Sequence, residues 1–153
     1  MDRMTEVEVG ALPAQYAWQM VRSLRHDPPG RAGTAAARRA TFDAALEQAE
    51  QFMVATAAVG LATRPVLVFY ALRQAAAAVA CAAESSTGDS WRLNGHGIAA
   101  RNLASAQRSG VAAVTVQDKG RGAFTQLAAL LNAASLGQVR WSGVRVLSFG
   151  VVT

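Results

Sequence analysis

The chain predicts a mainly α-helical bundle with a minor two-stranded β element in its C-terminal third. Three observations predict it. Apolar residues recur at helical spacing through residues 34–59. A proline-led, alanine-rich stretch from Pro65 to Glu84 is apolar nearly all round. After Gly110 the pattern changes to short runs rich in β-branched residues, separated by glycine turns. Helical and strand periodicities are distinct signals, so the change marks a change of architecture. With 153 residues, 52% apolar and 16% charged, one domain with a real core is expected. Residues 1–110 would form the bundle and 111–153 a β-turn-α extension.

The first helix is expected over Ala14–His26, with Tyr16, Trp18, Met20, Val21 and Leu24 as its apolar residues, ending at "DPPGRAG". The second spans about Thr34–Val59. Phe42, Ala45, Leu46, Ala49 and Met53 form its core stripe, and Asp43, Glu47 and Glu50 a solvated face. Gly60 closes it. The third helix follows Thr63 or Arg64 as N-cap, with Pro65 in the first turn, and should be the central helix of the bundle. Tyr70, Arg73 and Gln74 share one of its faces and are candidates for a polar pocket. "SSTGDS" is a loop. "IAARNLASAQRSG" reads as a fourth helix ending at Gly110, with Arg101 and Arg108 on its surface. "VAAVTV" (111–116) reads as a strand, "QDKGRG" as a turn, and "AFTQLAALLNAASLG" as a helix. "VRWSGVRVLSF" can pair with the earlier strand. The chain shows no internal repeats.

Charge is unevenly distributed. Residues 1–90 carry eight basic and nine acidic side chains, whereas residues 91–153 carry seven basic and one acidic. The basic half favours anionic partners, nucleic acid or nucleotide. Fourteen of the fifteen basic residues are arginine, which the codon usage of a GC-rich genome also produces. The single cysteine, Cys81, excludes an intrachain disulfide and a thiolate metal cluster. His26 and His96 lack ligand spacing, so no metal is expected, and no cofactor motif is present. The N-terminal segment carries acids and no apolar run, and Arg73 interrupts the longest apolar segment. The expectation is therefore a cytoplasmic protein without a membrane span.

Two motifs stand out. In "WRLNGHGI" (Trp91–Ile98), His96 lies between two glycines, with Arg92 and Asn94 nearby. It can serve as a general acid or base, or as an anion contact at a helix N-terminus. It can equally cap the helix or hydrogen-bond a carbonyl. In "KGRGAFT", Gly120 and Gly122 precede a helix beside Lys119 and Arg121, which suits a phosphate cradle or a plain glycine turn. The P-loop spacing is absent. Anion- or nucleic-acid-binding candidates are thus Asn94, Arg101, Arg108, Lys119 and Arg121. The catalytic candidates are His96 and Arg92. Trp18, Trp91 and Trp141 are read as packing anchors.

The stretches "FDAALEQAEQF", "ATRPVLVFYALRQA", "WRLNGHGI" and "VTVQDKGRGAFTQL", in that order, resemble the YaaC-like protein family, an uncharacterised bacterial family. Family members continue into a further helical region, so the resemblance implies a truncated form. "FYALRQAAAAVA" followed by "GHGI" also resembles HEPN domains, which implies a HEPN-like helical core. Many HEPN proteins are ribonucleases whose arginine and histidine are separated by four to six residues. Here three residues separate Arg92 from His96. The expected function is a non-catalytic protein-interaction or oligomerisation module, in a prokaryotic antiviral defence or stress system. The expected partner is another protein or a second copy. The alternatives are a nucleic-acid-binding or HEPN-like ribonuclease domain using Arg92 and His96, and a nucleotide-binding module.

Overall fold

The computed structural model describes residues 14–110, 113–133 and 138–140. Two compact units form, residues 1–84 and 85–153. The first is built on helices α1 (Ala14–Ser23), α2 (Gly30–Thr34), α3 (Ala36–Ala58) and α4 (Arg64–Ala82). The second contains strand β1 (Ile98–Arg101), helix α5 (Leu103–Ser109), strand β2 (Thr115–Asp118), helix α6 (Ala123–Leu130) and strand β3 (Gln138–Arg140). The chain is therefore mainly helical with a small antiparallel sheet near its C-terminal end.

In the first unit α3 and α4 form an antiparallel hairpin. Phe42, Ala45 and Ala49, spaced three and four residues apart, are buried on α3, and Ala71, Ala78 and Cys81 on α4. Small residues on α4 let the two backbones approach. Pro65 sits in the first turn of α4, where its missing N–H costs nothing. At one end of the hairpin Phe52 stacks on Tyr70, with ring centroids 5.7 Å apart. At the other end Arg38, only 5% exposed, donates from Nη1 to the carbonyls of Cys81 (3.4 Å) and Ala83 (3.3 Å). Those carbonyls belong to the C-terminal end of α4, which lacks intrahelical donors and carries partial negative charge. A buried cation there satisfies both.

Three expectations change. The acidic side of α3 is not simply solvated. Arg22 of α1 binds Glu50 bidentately, with Nε 3.0 Å from both carboxylate oxygens, and Arg25 pairs with Glu47 at 3.1 Å. Helix α4 is not central. Leu72 is 60% exposed and Val79 43% exposed, because α4 packs mainly on α3 along one side. Finally, α2 lies inside what reads as a loop. It is a single turn of "GRAGT" whose Ala32 is fully buried, and its two glycines hide it from propensity. Gly30 is required: at φ +53, a Cβ would lie 2.2 Å from the Ala82 carbonyl oxygen.

The Arg22 hydrogen bond holds the Glu50 carboxyl below its ordinary value of 4.5. A depressed folded-state pKa adds stability above the unfolded-state value, and that stability is lost as pH falls through the folded value. Glu50→Gln should therefore lower the melting temperature by a few degrees at neutral pH. The gap from the parent should close under acid conditions, as followed by circular dichroism.

In the second unit the strand order is β1-β2-β3, antiparallel throughout. Ile98 is opposite Asp118, and Arg101 opposite Thr115; on the other edge Thr115 is opposite Arg140. The two expected strands pair, but the first is displaced to 115–118, and a third strand joins them. That third strand, β1, is a correction, since 98–110 reads as one helix. Asn102, in the left-handed conformation at φ 61, separates β1 from α5. Pairing with β2 overrides the helical preference of "IAAR". Trp91, Leu93, Ser86 and Ala123 are buried in this unit. Val111, Trp141 and the rest of "WSGVRVLSF" lie outside the described residues.

Candidate functional site

The two glycine motifs of the sequence meet in space. Gly97 has φ +80 and Gly122 φ +111, and their backbones touch. A Cβ on Gly122 would lie 2.5 Å from the Cα and N of Gly97, and a Cβ on Gly97 2.9 Å from the Phe124 nitrogen. Only glycine fits at both positions. Two backbone hydrogen bonds lock the junction: Phe124 N–H donates to the His96 carbonyl (3.1 Å), and Lys119 N–H to that of Gly97 (2.9 Å). The Asn94 N–H donates to Oε1 of Gln126 on α6 at 3.2 Å.

This arrangement corrects the expectation that His96 opens the next helix. The residues after it form β1. The helix N-terminus near His96 is that of α6, reached through space, and one of its free amides is taken by the His96 carbonyl. The His96 side chain is exposed. Arg92 is held on both sides. Its Nε is 3.1 Å from an Asp89 carboxylate oxygen, and its guanidinium lies 4.4 Å from the centre of the buried Trp91 ring. Trp91 is thus a packing anchor with a cation on its face.

Lys119 and Arg121 are exposed on the loop that carries Gly120 and Gly122. Among the described residues no ion pair is formed by either. The carboxylate next in the chain, Asp118, accepts a hydrogen bond from the Gly120 N–H at 3.1 Å, which tightens the turn. Gly95 and Gly120 have nothing within 4 Å of the position a Cβ would take, so the loop surface is open there. Asn94 is exposed beside it; Arg101 on β1 and Arg108 in the last turn of α5 are exposed as well.

The proposed polar face of α4 lies in the other unit. Tyr70 is 43% exposed and makes two ring contacts, stacked on Phe52 and edge-on to Phe69 at 5.4 Å. Arg73 and Gln74 are half-buried. A small pocket forms elsewhere, in the second unit, lined by Asp118, Phe124, Thr125, Ala128, Ala129 and Ala133. Its volume of about 150 Å³ is well below that of an ordinary small-molecule site. Among the described residues no group of three or more His, Cys, Asp or Glu side chains can hold a metal ion.

The sequence pattern of the YaaC-like protein family matches residues 14–148, which cover most of each unit and include both glycine motifs. The chain belongs to the YaaC-like family. No curated protein and no solved structure matches it. Within this YaaC-like chain, sequence reasoning singled out both glycine motifs but not their contact. The paired G-x-G patterns, "GHG" and "GRG", were the available signal. Arg38 was missed because an arginine on an amphipathic helix reads as solvated.

Proposed function

We propose that this YaaC-like protein is a cytoplasmic, non-catalytic module that associates through helix α4, most directly with a second copy of itself. The observation that carries this reading is a seam on α4. Val68, Leu72, Ala75, Val79 and Ala82 follow one another at intervals of four, three, four and three residues. That is the spacing of a helix that packs along another helix. Leu72 and Val79 are exposed, and Val68, Ala75 and Ala82 are half-buried, so the seam is not spent on α3. No charge interrupts it; Arg73 is the one charged residue from Pro65 to Ala83. Residues 1–84 carry eight basic and eight acidic side chains, so two copies can meet there without net repulsion.

Among the described residues, α4 is the one helix long and apolar enough to cross a membrane by length and composition. Arg73, near its middle, weighs against insertion. The non-catalytic part of the reading is supported by Arg92, whose Nε pairs with Asp89 while its guanidinium lies over Trp91. A role in a prokaryotic defence or stress system rests on the family resemblance alone.

Leu72→Glu combined with Val79→Glu tests the reading. Both side chains are exposed, so the fold should tolerate the change. Sedimentation velocity should show concentration-dependent dimers for the parent and monomers for the variant. A parent that stays monomeric up to high concentration would exclude self-association. Sedimentation with lipid vesicles that the variant abolishes would assign the seam to a membrane and overturn the proposal.

A further inference from the structure

We propose that the loops joined at Gly97 and Gly122 form a binding surface for the phosphate groups of a nucleic acid or nucleotide, with Lys119 and Arg121 as the contacting cations. The proposal does not depend on the α4 seam, which belongs to the other unit.

The first argument is charge. Residues 85–153 contain seven basic side chains and only two acidic ones, Asp89 and Asp118, a net of +5. The whole net charge of the chain thus resides in this unit. Both acids are engaged: Asp89 pairs with Arg92, and Asp118 accepts from the Gly120 N–H. The excess of basic over acidic side chains in this unit attracts counterions, and release of those counterions favours a polyanion.

The second argument is geometry. The junction brings the segments of His96, Lys119 and Arg121 to one place. Lys119 is bonded through its N–H to the carbonyl of Gly97, next to His96, and Arg121 precedes the glycine packed on Gly97. The loop is held by two backbone hydrogen bonds and a backbone contact, so its cations are presented from a fixed base, and less ordering is needed on binding. Open space at Gly95 and Gly120 lets an anion approach the backbone. Arg121 offers a planar fork that matches phosphate oxygens, and Lys119 a point charge. The buried Trp91 supplies no stacking surface, and the two cations address phosphate oxygens.

The test uses the full chain, a fluorescent single-stranded oligonucleotide and anisotropy at several salt concentrations. The parent should bind at low salt and weaken steeply as salt rises. Lys119→Gln with Arg121→Gln should weaken binding about tenfold at low salt and reduce the slope of log affinity against log salt by about 1.4, two contacts at about 0.7 each. Arg39→Gln with Arg64→Gln removes the same charge from exposed positions in the first unit and should leave affinity within about twofold. Displacement of the oligonucleotide by ATP would assign the surface to a nucleotide, and failure of ATP to compete would assign it to a nucleic-acid backbone. Absence of binding at low salt, or equal losses in the two double variants, would overturn the proposal.

Discussion

Gly122→Ala should destabilise the 85–153 unit by about 2–6 kcal/mol. Two penalties add. A non-glycine residue at φ +111 is strained by about 1–3 kcal/mol. The new methyl would also lie 2.5 Å from Gly97 backbone atoms, which cannot rotate away, and overpacking of this kind costs a further 1–3 kcal/mol or so. Gly120→Ala is the control. Its φ of +67 is also left-handed, but nothing lies within 4 Å, so only the local cost of roughly 1–2 kcal/mol applies. Thermal unfolding should therefore rank the variants clearly, with parent above Gly120→Ala above Gly122→Ala. Equal losses would mean that the glycine contact is not the constraint.

Arg38→Met should cost about 2–3 kcal/mol, measured by urea unfolding. Methionine keeps much of the arginine stem and its packing, so the loss reports the guanidinium. Its removal leaves the Cys81 and Ala83 carbonyls at the end of α4 without that donor, in a place where Arg38 is 5% exposed. Arg38→Lys should recover part of the loss, because an ammonium keeps the charge at the helix end but ends one bond short of the Nη1 that donates to both carbonyls. If Arg38→Met matched the parent, the capping account of the hairpin would fail.

The parts of the fold that were legible are those where a single physical signal acts alone. Phe42, Ala45 and Ala49 repeat at helical spacing, and all three are buried. Pro65 marks the start of α4 because proline suits a first turn. The parts that were not legible depend on neighbours distant in sequence. "IAAR" has no strand signature and becomes β1 because Gly97 delivers it alongside Thr115–Asp118. The carboxylates of Glu47 and Glu50 look solvated until Arg22 of α1 and Arg25 just beyond it are placed against them. An apolar helix reads as central, yet periodicity does not say how many partners surround it, and α4 keeps Leu72 and Val79 exposed.

The candidate site follows the same division. Both glycine motifs were visible as local patterns, each with basic residues beside it. Their meeting was not, because it is made by backbone atoms whose contacts leave no side-chain trace. The structure joins His96, Lys119 and Arg121 at that meeting point and occupies Arg92 with Asp89 and Trp91. Tyr70, Arg73 and Gln74 belong to the helical unit and its own packing.

The most direct measurement of the central claim, association through α4, is residue-level oxidative footprinting of the parent protein over roughly a hundredfold range of concentration, which shifts any self-association by mass action. Labelling of Leu72 and Val79 should fall as concentration rises, while that of the exposed α3 residue Val54 stays constant. Labelling of the α4 seam that does not change with concentration, under conditions where the protein self-associates, would contradict the account.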